Sequence, residues 1–322
     1  MNQSTTWKEK LRRYCVILWP ILLTQIGMNL INVFDTMMSG WASPVDLAGV
    51  AIGSGLWFPV MVGFNGVLMA IVPIVAQHLG GRAYEQVAGS VTQALYISMG
   101  LAIVIFAVGG LVLNPILVMM GLDPDVHDIA KRYLIGLSFG LPPLFASNVL
   151  RNVIDAHGLT RISMIITLSA VPINFVLNYI LIFGRFGFPE LGGVGAGYAT
   201  AVTYWLLLLF YMLATFKLET LRPYRLFRVW FRPSRQAVKE QLALGIPMGL
   251  SIFFEASIFS GVTLLVGIMF DTYTIAAHQA ASNFSALMFM IPLSMAMALT
   301  IIVAHEVGAR RLDDAEHHAR LG

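Results

Sequence analysis

Three observations predict an all-α polytopic membrane protein: a strongly apolar composition, apolar runs of helix length, and basic residues confined to alternate connections. Of 322 residues, 57% are hydrophobic and 11% charged, against roughly 25% charged in an ordinary soluble domain. No soluble globule could hide so much apolar surface. The formal net charge of +3 does not point to nucleic acid, because the basic residues fill gaps between apolar runs rather than one face. Cys15 is the single cysteine, so no internal disulfide can form and the thiol reads as a packing residue. The polar, basic start from Met1 to Tyr14 leads into a run too long for a leader and without a small-residue cleavage site, so it reads as a retained first helix.

Runs long enough to cross a hydrocarbon core of ~30 Å occur at Tyr14–Gly40, Asp46–Val72, Val91–Met119, Ile129–Ala156, Ser163–Phe183, Val194–Phe216, Leu242–Phe270 and Thr274–Val303. Helix-length windows of Leu, Ile, Val, Ala, Gly and Met, without ten-residue alternation, indicate helices rather than a barrel. With these spans, only Lys131, Arg132 and Arg185 of the 20 basic residues fall on one side of the membrane. The other side, with the N-terminus, is therefore cytoplasmic. The outer connections carry Asp46, Glu190, Asp271 and the group Asp123, Asp125 and Asp128. That group resembles an acidic metal site, but GLDPDVHD (121–128) reads more simply as a turn and helix cap with solvated acids.

An offset of 228 residues lays Asp46–Arg82 on Thr274–Arg310, with VAQHLGGR (75–82) over VAHEVGAR (303–310). Both copies end a helix pair at Gly-x-Arg. The expected organisation is a complete six-helix lobe over 1–216, a basic cytoplasmic linker over 217–240, and the first two helices of a second, repeat-related lobe over 241–322. A finished second copy would need roughly 450 residues, so the chain is expected to be a truncated form. Repeats of this kind form two bundles around a central site.

Two acids lie well inside spans, Asp35 in the first and Glu255 near the middle of the seventh, whereas Asp155 and Glu306 fall near cytoplasmic helix ends. A charge at the bilayer centre costs ~2.5–3.5 kcal/mol on insertion scales, which makes such residues functional candidates. Gln25, Asn29, Asn32 and Thr36 form a polar stripe on the first helix, with Asp35 at its edge. Lipid cannot satisfy such a stripe, so it should face protein or a water-filled cavity. On the fifth helix Asn174 and Asn178, one turn apart beside Pro172, are expected to face the first helix; interhelical hydrogen bonding alone would also account for them. His278, Gln279, Ser282 and Asn283 make a polar patch on the eighth. Pro20, Pro172 and Pro247 are expected bending points. Phe253, Phe254, Phe259, Trp57 and Trp205 are aromatic groups suited to flat cations, and equally to lipid or core. RPYRLFRVWFRPSR (222–235) has the basic, aromatic character of a segment attracted to anionic lipid.

The sequence contains no GxxxxGK[ST] phosphate loop, no HExxH and no GxSxG, so neither ATP-driven pumping nor familiar hydrolysis has a motif here. NVFDTMMSG (32–40) resembles the first-helix Asp motif of the multidrug and toxic compound extrusion (MATE) family. GRFGFPELGGVGAGYATA (184–201) resembles the loop and start of that family's sixth helix. FFEASIF (253–259) with AAHQAASNFS (276–285) resembles the seventh and eighth helices of its NorM-like branch.

The resemblance implies a monomeric multidrug exporter, not an enzyme, in the bacterial cytoplasmic (inner) membrane. It would exchange small organic cations for Na⁺ or H⁺ by alternating access of two lobes, with no cofactor beyond the coupling ion. By resemblance, Asp35 is the coupling acid of the first lobe, with Asn174, Asn178 and Thr200 around it, and Glu255 a sodium or proton site in the second. Gln25, Asn29, Asn32, Thr36, Gln279 and Asn283 would be polar cavity residues. Other branches carry Asp at the place of Asn178, which puts a purely proton-coupled first lobe in doubt here. Twelve helices are implied, and a further acid of the second lobe would lie beyond Gly322. Three alternatives stay open: a lipid-linked precursor flippase of the same superfamily, an intramembrane enzyme using the two acids, and a fragment without activity of its own.

Overall fold

The computed structural model describes residues 7–321 except 225, 228, 270 and 271; for 7, 259–261, 263–269, 272–280, 282–283, 286–287 and 321 it describes the backbone alone. The described chain forms α1 (Trp7–Ala42), α2 (Pro44–Leu68), α3 (Ile71–Gly80), α4 (Tyr84–Met119), α5 (Pro124–Ser138), α6 (Leu141–Ala156), α7 (Thr160–Ile182), α8 (Gly193–Lys217), α9 (Arg235–Met269), α10 (Thr272–Gly308) and α11 (Leu312–Leu321). It contains no strand among the described residues. Among the described residues, seven segments are long and apolar enough to span a membrane, and an eighth if α5 and α6, bent by 49°, count as one. Each expected span has its counterpart.

Two of the spans are broken, and neither break is at an expected hinge. The helix runs unbroken through Pro20, Pro172 and Pro247. The breaks fall at Met69–Ala70 and Phe139–Gly140, just ahead of Pro73 and the Pro142-Pro143 pair. Proline brings no N–H and disfavours helix in the residue before it. At the first break the Asn152 amide donates to the Leu68 carbonyl (3.4 Å), while the Asn148 amide donates to Asn65 Oδ1 (2.6 Å). At Pro20 the Thr24 hydroxyl donates to the proline carbonyl (2.8 Å).

Several helices outrun their apolar windows at the end that carries the N-terminus, here called the basic end. Caps and ion pairs hold these extensions, so hydropathy does not mark them. The repeat is written into the caps. In the first copy Gly81 N donates to Gln77 O, Arg82 N to Leu79 O and Ala83 N to His78 O; in the second, Ala309 N donates to His305 O, Arg310 N to Val307 O and Arg311 N to Glu306 O. Each bond recurs 228 residues on, and Arg82 and Arg310 share a left-handed backbone, φ 58° and 57°. Left-handed conformation at the residue closing a helix lets the chain reverse while recapturing its last carbonyls.

The two copies also cross each other there. A Cβ on Gly80 would meet the His305 carbonyl, and one on Gly308 would meet the Gln77 carbonyl. Since 80 and 308, like 77 and 305, are repeat equivalents, the contact is reciprocal, as across a two-fold axis. Farther along, Gly66 on α2 approaches Gly249 on α9, where an added Cβ would lie 2.8 Å from the Gly249 Cα. Glycine at these positions lets helix backbones touch.

The segment between α8 and α9 contains a 3₁₀ turn at Arg222–Tyr224 and a strap laid along α4: Tyr96 Oη donates to Phe231 O, Gln93 Nε2 to Arg232 O, and Ser234 N to Gln93 Oε1. α9 starts at Arg235, inside the expected linker, where the Ser234 hydroxyl accepts from Ala237 N (3.4 Å).

Candidate functional site

α1 packs more extensively on α7 than on any other element, aided by the edge-on contact of Phe34 with Phe175 at 5.2 Å. This seam buries Asp35 to 2% exposure and Asn174, Asn178 and Thr200 to 2% or less. Asn178 Nδ2 donates to Asp35 Oδ1 and Thr200 Oγ1 to Asp35 Oδ2, both at 2.7 Å. Asn174 bridges the pair, accepting from Asn178 Nδ2 (3.1 Å) and donating to Thr200 Oγ1 (3.0 Å). The i, i+4 spacing of the two asparagines thus sets both amides on the face of α7 that meets Asp35. α8 delivers Thr200 because Gly195 and Gly197 let its first turns press against the Leu181 and Tyr133 carbonyls.

Every described hydrogen-bond partner of Asp35 is uncharged. Asn178 Oδ1 is buried without a partner, so one unmet amide oxygen stands in the cluster with a carboxylate that an amide N–H and a hydroxyl hold. Hard oxygen donors of this kind suit a proton or a small hard cation. Sequence reasoning missed Thr203, which accepts from Asn174 at 3.4 Å.

The remaining candidates lie apart from this cluster. Gln25, Asn29, Asn32 and Thr36 are half-buried on a neighbouring face of α1, and the Thr36 hydroxyl bonds its own helix at Asn32 O (2.9 Å). Glu255 is half-buried on α9 beside the exposed Phe254, and no described bond joins it to the Asp35 cluster. The side chains of Phe259, His278, Gln279, Ser282 and Asn283 lie outside the described residues. Trp57 packs on the core, whereas Trp205 is exposed on α8. Asp123, Asp125 and Asp128 are exposed at the start of α5, and no metal-holding group of His, Cys, Asp or Glu occurs among the described residues. Asp123 stands at the cap position without a side-chain capping bond. On α2 the cap is Ser43, whose hydroxyl accepts from Asp46 N (3.0 Å) and donates to Asp46 Oδ2 (2.6 Å), while Asp46 Oδ1 accepts from Gly193 N (2.6 Å) and ties the glycine-rich loop to α2.

A second buried carboxylate went unforeseen as a junction. Glu306, 2% exposed at the end of α10, accepts from Arg13 of α1 (3.0 Å) and from Arg311 (2.6 Å). Beside it Lys10 pairs with Asp314 of α11 at 2.7 Å. These bonds tie the two repeats together at the basic end.

Comparison with known proteins gives the same architecture. The MatE family model matches residues 20–180 and 247–322. The "Probable multidrug resistance protein NorM" of Halalkalibacterium halodurans is 51% identical over all 322 residues, which cover 70% of that relative; its namesake in Bacillus subtilis is 48% identical, with 71% covered. Among solved structures, the outward-facing conformation of a multidrug resistance MATE family transporter of the MOP superfamily superposes with a TM-score of 0.83 at 22% identity, over 99% of this chain and 71% of that one. A MATE protein in complex with MaD3S gives 0.83 at 23%, over 98% and 72%. At those identities the structures speak for the fold. The family model covers well over half of the chain and the NorM relatives match it from end to end: this multi-pass membrane protein belongs to the MatE family.

Proposed function

We propose that the protein exports small organic cations from the cytoplasm in exchange for Na⁺ or H⁺, by alternating access of two repeat-related lobes in the inner membrane with the N-terminus cytoplasmic. The observation that carries this reading is Asp35: a buried carboxylate held only by neutral donors, beside the unmet carbonyl of Asn178. A carboxylate so placed gains from any cation that joins it, because nothing described there neutralises its charge. A proton, a sodium ion and an organic cation then compete for one charge. Coupling follows if the ion and the drug favour different conformations.

The described contacts between the repeats cluster from mid-bundle to the basic end, at Gly66–Gly249, Gly80–Gly308 and Arg13–Glu306. This arrangement fits a transporter closed to the cytoplasm. The multidrug names of the relatives support the substrate class. The test is efflux of a fluorescent organic cation from vesicles under separate sodium and pH gradients. Gradient-driven efflux that Asp35→Asn abolishes at normal expression supports the reading; equal efflux by the variant refutes the role of Asp35.

A further inference from the structure

Between the two repeats, on the cytoplasmic side of the Asp35 cluster, lies a small, partly enclosed cavity of about 20 Å³. It is lined by Ile21, Met69, Val72, Met248, Met297, Thr300 and Ile301, with Asn152 and Asp155 from α6. Met69 and Met297 are repeat equivalents, as are Val72 and Thr300, so the cavity straddles the same pseudo-two-fold axis as the Gly80–Gly308 crossing. Its polar wall is one-sided, since α6 alone supplies an amide and a carboxylate. Asn152 is 1% exposed and Asp155 7%, and Asn152 Oδ1 and Asp155 Oδ1 are both buried without a partner.

Two unmet acceptors on a cavity wall are costly in isolation and ask for a donor or a cation. The charged groups nearby are few. Arg151 lies one turn back on α6, and Tyr211 of α8 packs behind. Arg151 does not line the cavity and no described ion pair joins it to Asp155, although its charge and the Ser163 hydroxyl both act on that carboxylate from behind; among the lining residues the carboxylate is the only formal charge. The facing residues from α1, α3, α9 and α10 are apolar or hydroxylic.

Resting on the alternating-access reading above, the geometry points to Asp155, with Asn152 and the methionines 69, 248 and 297, as a second cation-binding site, distinct from Asp35, that opens to the cytoplasm when the repeats part and receives the organic cation. As it stands, the cavity has room for a water molecule. Open, it offers one negative charge, one amide carbonyl and three polarizable thioethers, a lining matched to a flat or bulky cation.

The test uses thiol chemistry rather than transport. In the full chain with Cys15→Ser, a cysteine is introduced by Thr300→Cys and labelled in inside-out vesicles with a trimethylammonium or a sulfonate methanethiosulfonate reagent. Each rate is normalised to that reagent's rate with a free thiol. The cationic reagent is expected to be favoured about tenfold, the lower end of what a focused charge achieves. Asp155→Asn should bring the ratio to about one, while Asp155→Glu, judged on monodisperse protein, should keep it. An unchanged ratio in Asp155→Asn, or no labelling from the cytoplasmic side, overturns the proposal. Because labelling requires no ion gradient, a charge preference without gradient-driven efflux would refute the antiport reading and leave this site standing.

Discussion

Asp35 and Glu306 are both carboxylates only 2% exposed, yet they sit in opposite electrostatic settings. Asp35 is held within one repeat by an amide and a hydroxyl. Glu306 is held across the repeats by the guanidiniums of Arg13 and Arg311. A buried charge met by neutral dipoles still gains from a cation, whereas one met by two guanidiniums is already neutralised and gains nothing. The first arrangement suits exchange and the second suits a lock. Burial alone therefore does not identify a working carboxylate; the charge of its partners does.

The largest expected effect breaks the exchange side. Asp35→Asn keeps shape and removes the charge, and ion-coupled efflux should fall about 100-fold, near the upper end of ordinary coupling energies. Thr200→Val deletes one of the two described donors to Asp35 and should weaken ion dependence about tenfold, as expected for one hydrogen bond to a charged group. Efflux titrated against sodium and pH measures both. If Thr200→Val matches Asp35→Asn, the hydroxyl is itself a ligand and not merely a support.

The lock should break next. Arg13→Gln leaves the Arg311–Glu306 pair in place and removes the Arg13–Glu306 bond between repeats. Because Arg311 still compensates Glu306, the loss is that of one hydrogen bond to a charged group, about 1.5 kcal/mol, enough to move the population closed at the basic end roughly tenfold. Spin labels at Glu85→Cys and Asp313→Cys, both exposed, should then report a longer distance. An unchanged distribution would place closure in the glycine crossing instead. That crossing has its own test: Gly80→Ala and Gly308→Ala should each disfavour closure by about 1–3 kcal/mol, the usual range for overpacking. Because they act on one contact, the double variant should fall short of the sum. Gly89→Ala, with open space around it, should leave the distance unchanged.

Much of the proposed exchange site was legible in the sequence, and little of the lock. Asp35, Asn174 and Asn178 stand out because polar groups are rare in apolar spans, and helical spacing places the two amides on one face. Glu306 lies near a helix end, where acids are ordinary, and its partner Arg13 is 293 residues away. No local pattern joins them. The same limit hid α11 and the breaks at Met69–Ala70 and Phe139–Gly140: hydropathy marks residues that must avoid water, not how a helix ends or where two helices touch. The repeat was legible as an alignment, but its meaning as a reciprocal Gly80–Gly308 contact required coordinates. Glu255 was as legible as Asp35, yet among the described residues nothing engages it comparably.

The smallest effect concerns α11, whose Asp314 gives the lock its second ion pair. His318 on this helix is 2% exposed, and its pKa is lowered from the ordinary 6.5 first by burial and then by Arg13 and Lys10, with Glu306 and Asp314 opposing. A histidine whose folded value lies below its unfolded one resists protonation when docked. Above pH 6.5 the docked and released forms bind protons alike, so docking is at full strength; as pH falls below 6.5, the released form takes up the proton and docking weakens. Amide exchange over residues 312–321 should therefore accelerate on going from pH 7.5 to 5.5, after correction for intrinsic rates. His318→Gln should flatten that dependence while leaving the Lys10–Asp314 pair intact. If the dependence persists in the variant, the titrating group is another residue, and α11 answers to the ion pairs rather than to its buried histidine.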